Sequence, residues 1–106
     1  VRGAPERPAC PMNRLVLGAK LVERGARRYT PAGLPVLELT LQHESDQSED
    51  GQSRRVTLEL KALAIGAITE QVSTLALGST GTFAGFLTHA RNRRGVLLHI
   101  TSLETN

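Results

Sequence analysis

Three arginines, Arg91, Arg93 and Arg94, fall within the eight residues Thr88-His89-Ala90-Arg91-Asn92-Arg93-Arg94-Gly95. Apolar, strand-like runs flank them, Thr82–Leu87 before and Val96–Leu103 after, so the stretch reads as an arginine-tipped β-hairpin with a glycine at its end. A guanidinium presents a planar fork of N–H donors that matches phosphate oxygens, so the chemistry on offer is contact with an anion. A tip charged only for solubility is the plainer reading. Two more clusters carry the same chemistry: Arg24, Arg27 and Arg28, which run into Tyr29, and the pair Arg54 and Arg55. Acids gather elsewhere, at Glu44, Asp46, Glu49 and Asp50. The formal charge is only +3, so the separation of signs matters more than the sum. It favours a one-sided basic surface and an anionic partner.

Other chemistries find little support. His43, His89 and His99 are scattered over three elements, and the single cysteine, Cys10, is near none of them. The usual metal-ligand spacings are missing, and one cysteine excludes an internal disulfide framework. Carboxylates concentrate in one polar stretch, which holds Glu44, Asp46, Glu49 and Asp50 and is a poor place to hold general acid/base geometry. None of the 10 glycines forms a phosphate-cradling loop before a helix. The expectation is therefore a non-enzymatic protein without cofactor or metal. No apolar run approaches a membrane span and no secretory signal is visible, so a cytoplasmic protein without membrane contact is expected.

The elements that must position the arginines follow from periodicity. Val1–Pro11 holds three of the five prolines and no periodic apolar pattern. It reads as a disordered extension (residues 1–11), with one domain over residues 12–106. Leu15, Leu17, Ala19 and Leu21 line one side of a first strand, with Lys20 on the other side and Gly18 marking a bulge. Gly25–Gly33 is a basic connection closed by turn residues. Pro35–His43 is a second strand with Leu37, Leu39 and Leu41 turned inward. Glu44–Ser53 has no apolar residue and reads as a polar hairpin loop with Asp50-Gly51 as its turn. Val56, Leu58 and Leu60 mark the inner face of a third strand. Ile65, Ile68, Val72 and Leu75 are then spaced for one face of a short helix, ended by Gly78. Thr80–Leu87 and Val96–Leu103 complete five strands, with Gly81 and Gly85 permitting curvature.

Five short, glycine-bent strands with a helix between strands 3 and 4 describe an all-β, five-stranded OB-fold barrel, with an SH3-like barrel as the rival. Such a barrel commonly receives single-stranded nucleic acid between the loop joining its first two strands and the loop joining its last two. Those two loops are the arginine-rich ones. The expected single-strand contacts are Lys20, Arg24, Arg27, Arg28, Tyr29, Arg54, Arg55, Arg91, Arg93 and Arg94. Tyr29 is the expected stacking platform, whereas Phe83 and Phe86 are expected in the core.

Specific residues carry a family resemblance. Met12-Asn13-Arg14-Leu15-Val16-Leu17-Gly18, Thr30-Pro31-Ala32-Gly33-Leu34-Pro35, Leu41-Gln42-His43, Gly85-Phe86 and Val96-Leu97-Leu98-His99 resemble the PriB family of primosomal replication proteins, over essentially all of Met12–Glu104. The resemblance implies an OB-fold homodimer that binds single-stranded DNA during replication restart. It also implies that the protein stimulates the restart helicase PriA and cooperates with DnaT where that protein exists. Family DNA contacts match Arg28 and Arg27 in the first loop and Arg91, Arg93 and Arg94 in the last, which looks shortened. Glu44 stands where better-known members carry a basic residue, and Gln52 and Thr57 stand where they carry aromatics. Weak single-strand binding follows as an expectation. The competing class is a protein-interaction adaptor whose basic surface docks on protein.

Overall fold

The leucine alternation in the second long strand sets the architecture, because a strand apolar on one side must wrap that side around a core. The structure, a computed structural model, describes residues 12–90 and 95–105. Val1–Pro11, read above as an extension, lies outside them, as do Arg91, Arg93 and Arg94. The elements run β1 (Leu15–Arg24), β2 (Arg28–Tyr29), β3 (Pro35–Glu49), β4 (Gln52–Ile65), α1 (Ile68–Ser73), β5 (Thr80–His89) and β6 (Val96–Thr105). β1 serves two neighbours: Leu15–Lys20 pair with β5, and Lys20–Arg24 pair with β3. This sharing closes the sheet as β1-β5-β6-β4-β3-β1, with the two-residue β2 added along β3. All pairings are antiparallel except β4 with β6. The result is a closed barrel of five long strands in OB order.

Inside it, Leu21, Leu37, Leu39, Leu41, Phe83, Leu98 and Ile100 form one buried cluster, and α1 adds Val72. Ile68 and Leu75 pack against the same cluster from α1 and the turn after it. Asn13 ties the start of the chain down like an extra strand residue. Its side-chain amide donates to the Leu87 carbonyl at 2.7 Å, and its oxygen accepts the Leu87 N–H at 2.9 Å.

Several expectations change. The helix follows β4 rather than a third strand, because β2 intervenes; two paired residues are too few to show a period. It is six residues long, with Ile65 belonging to β4 and Thr74 closing it, so Gly78 does not end it. The expected polar loop Glu44–Ser53 is mostly strand: β3 and β4 pair continuously to Glu49↔Gln52 around a two-residue turn. Asp50 and Gly51 take φ of 52° and 75° there, the mirror-image geometry that suits a tight hairpin. The hairpin projects past the apolar interior, so it has nothing to bury and shows no alternation. For the same reason Leu58 is 40% exposed and Val56 only half-buried: they share the side of β4 that carries Leu60 but lie beyond the core expected to cover them. The β1 bulge falls between Leu21 and Glu23, not at Gly18.

Gly85 is the glycine that the barrel requires. It sits at a register shift between β5 and β6, where an added Cβ would stand 1.8 Å from the His99 carbonyl oxygen. Only a residue without a side chain permits that approach. Alternation along β5 leaves Phe83 fully buried and Phe86 outward, 40% exposed, contrary to the expectation that both are core.

Candidate nucleic-acid interface

Side chains alternate across each strand, so the barrel's outer surface is read from the pairing register. One outer row runs Glu38 (β3), Leu63 (β4), His99 (β6) and Phe86 (β5); the next runs Thr40, Lys61, Leu97 and Thr88 on the same strands. Of these, Glu38, Leu63, His99, Thr40, Lys61 and Leu97 floor a groove of about 950 Å³, and Phe86 lies just beyond it, beside His99. Arg28 and Thr30 of the first connection stand along one side, and Thr88, His89, Ala90 and Val96 along the other. The first connection and the strand ends that flank the second therefore bound one groove. The ends of the second are held together by the Ala90 N–H, which donates to the Gly95 carbonyl at 3.1 Å.

The turn that shapes the first wall is local. Pro31 follows Thr30 in a turn closed by the Gly33 N–H on the Thr30 carbonyl at 2.8 Å, with Gly33 at φ 90°. Thr30 accepts the Leu34 N–H through its hydroxyl at 3.1 Å, which fixes the return into β3.

The groove's cations have acidic company. Arg28 hydrogen-bonds the Glu38 carboxylate across β2 and β3. Lys61 donates to the Thr40 hydroxyl at 2.9 Å, and that hydroxyl donates to Glu23 at 3.3 Å. Thr40 is buried under this chain of contacts, which explains a polar residue there. The Arg28–Glu38 pair is more than half exposed on both sides, so exchanging Glu38 for another oxyanion costs about 1 kcal/mol or less. The pair is a cation held ready rather than one locked away.

The other residues expected from sequence are dispersed. Arg24 points at the helix, donating to the Val72 and Leu75 carbonyls at 3.4 and 2.5 Å. α1 has no basic residue in its own last turn, and Arg24 supplies the positive charge its carbonyl end favours. Arg27 lies 3.7 Å from Glu70 of the same helix. Tyr29 is 63% exposed, on β2 opposite Pro35. Lys20 borders a separate cavity of about 450 Å³ with Gln42, His43 and Glu44. Arg54 and Arg55 sit on the β3–β4 hairpin, facing Glu49 at 3.4 Å and Glu44 and Asp46 at 3.0 and 3.2 Å. Arg91, Arg93 and Arg94 lie outside the described residues, although Ala90 before them and Val96 after them line the groove.

Sequence reading missed Lys61, Leu63 and His99 as groove residues, and Phe86 as the outward ring beside His99. The outward alternation of β4 signals Lys61. For Phe86 and His99 the signal is the same alternation: Phe86 is three residues from the inward Phe83, and His99 lies between the inward Leu98 and Ile100. Their rings stack face to face, with centroids 4.9 Å apart and planes inclined by 14°. The three histidines make separate contacts: His43 with the Gly18 carbonyl and the Ser45 hydroxyl, His89 with the Ala90 carbonyl, and His99 with Phe86. Among the described residues, no helix is long and apolar enough to cross a membrane.

Comparison with known proteins gives the family. The family model described as "Another single-strand binding protein family" matches residues 13–102. Replication restart protein PriB of Bordetella pertussis is 48% identical over 80 residues, covering 76% of this chain and 75% of that protein. The PriB structure from Ralstonia solanacearum superposes with a TM-score of 0.80 at 36% identity, covering 89% of this chain and 97% of that one. The wild-type single-stranded DNA binding protein from Thermus aquaticus gives 0.70 at 25% identity, covering 90% of this chain and 50% of that one.

Proposed function

This chain belongs to the PriB group of single-strand binding proteins, and on that premise we propose that it binds single-stranded DNA as a non-enzymatic accessory factor of replication restart. The observation that supports this reading is the groove itself, bounded by the first connection and by the ends of the β5–β6 connection. Lys61 and Arg28 are its described phosphate contacts, and Arg91, Arg93 and Arg94 join them in the proposal because their connection leaves and re-enters the barrel at that wall. Arg24, committed to the helix, is proposed as structural. Cytoplasmic DNA is the natural setting.

Binding is expected to be weak. Glu23 and Glu38 sit among the groove's cations, so a phosphate must compete with carboxylates already present. Fluorescence anisotropy with single- and double-stranded oligonucleotides of one length, across a salt series, tests the proposal. The expected outcome is a preference for the single strand and a log–log salt slope of about −0.7 per phosphate contact. Equal affinity for duplex, or none for either, would overturn it; tight, salt-resistant binding would overturn its weakness.

A second reading, a protein-interaction adaptor, is favoured by one observation: Arg27, Arg28, Arg54 and Arg55 all face carboxylates within the chain. The restart helicase PriA is the proposed protein partner, with DnaT where it exists, and a homodimer the proposed working unit. Alanine at Lys61 and Arg28 separates the readings. The first predicts lost DNA binding, the second lost helicase stimulation with DNA binding intact.

A further inference from the structure

We infer that the stacked rings of Phe86 and His99 are a nucleobase platform at the edge of the groove, His99 lining it and Phe86 extending the surface beyond; this rests on the single-strand reading above and names what the bases touch. The two residues are direct cross-strand partners, and Phe86 keeps 40% of its surface in water while Phe83, three residues earlier, keeps none. Alternation along β5 sets this arrangement: Phe83 and Phe86 are three residues apart, so one faces the core and the other the outer surface. A cross-strand ring pair also steadies a sheet, which would account for the stacking but not for a phenylalanine left 40% exposed at the groove's edge. His99 lines the groove, and Leu63 lies beside it on β4.

Lys61 identifies the occupant. It sits opposite Leu97, two residues along β6 from His99, so the cation row and the ring row run side by side roughly 7 Å apart. That offset is comparable to the reach from phosphate to base within one nucleotide. A strand laid along the rows would put its phosphates on Lys61 and its base faces on the rings. Every base has a π-face, so such a platform holds single strands without reading sequence. Duplex DNA, with its bases already stacked, gains nothing from it.

Two oligonucleotides with equal numbers of phosphates test this, one of thymidines and one of abasic spacers, titrated against the full chain. Wild type is expected to prefer the thymidine strand by about tenfold. Phe86→Leu, which keeps the site apolar, and His99→Ala are each expected to lower that ratio severalfold while leaving spacer affinity within about twofold. The chain has no tryptophan, so Phe86→Trp places a single indole whose emission should fall as thymidines bind and stay constant with spacers. A ratio near one in wild type, a ratio unchanged by both substitutions, or an indole indifferent to saturating thymidine strand would each overturn the platform. Failure of wild type to bind either strand would instead remove the single-strand reading beneath it.

Discussion

The groove and the β3–β4 hairpin both carry arginine and both carry acid, yet they use them differently. On the hairpin the antiparallel register sets Asp46 directly opposite Arg55 and Glu44 one step diagonal to it, so a single guanidinium bridges two carboxylates at 3.2 and 3.0 Å. Arg54 reaches Glu49 in the same way. The hairpin is a ladder of opposite charges that holds a strand pair with no core beneath it. In the groove, Arg28 has one exposed carboxylate and Lys61 leans on a neutral hydroxyl. The lesson concerns what a basic cluster means. Arginines close in sequence supply a binding surface only where the fold leaves them without a full complement of acids.

Four experiments break or sharpen that contrast. The largest effect belongs to the glycines. Gly85→Ala drives a methyl into the His99 carbonyl and should cost about 3 kcal/mol of stability, taking the groove with it. Gly51→Ala at the hairpin turn meets no atom within 4 Å and pays only for its positive φ, about 1 kcal/mol, with DNA affinity retained. Urea unfolding of both variants checks this; equal losses would mean that the two regions are not separately supported.

Next comes charge removal. Lys61→Ala should weaken single-strand binding about tenfold and reduce the salt slope by about one contact, whereas Arg55→Ala should change affinity by less than about twofold. If Arg55→Ala were the more damaging, the hairpin rather than the groove would be the binding surface. A gain is expected from Glu38→Gln, which frees Arg28 from its carboxylate and should tighten binding about threefold at low salt, fading at high salt. The smallest effect is on stability: Arg55→Ala should shift the unfolding free energy by about 0.5 kcal/mol or less, since its guanidinium is mostly in water. A loss severalfold larger would show the charge ladder to be what holds the hairpin straight.

Most of the barrel is legible in the chain because burial imposes a period. Leu37, Leu39 and Leu41 alternate as a strand with one face on a core must, and they are the residues found inside. The turn at Pro31 and Gly33 and the turn at Asp50 and Gly51 show through as backbone requirements. What burial does not touch stays hidden: β2 is too short for a period, and the hairpin beyond the barrel alternates polar with polar. The site divides the same way. Arginine-rich connections are visible as composition, and the placing of Arg28 and of the β5 and β6 ends beside one groove follows once OB order is granted. Which cation faces water is not visible. Arg24 in the first connection's cluster turns to helix carbonyls 48 and 51 residues away in the chain, a partnership no local pattern encodes.

The order of residues alone determined the strand periods, the turn positions and the supply of positive charge, because each of these is a property of neighbours along the chain. Strand pairing decided the rest. Only the register of paired strands puts Phe86 against His99, leaves Lys61 in a groove, and spends Arg54 and Arg55 on facing acids. Contacts across a sheet depend on register, and a register is shared by two strands rather than written in either.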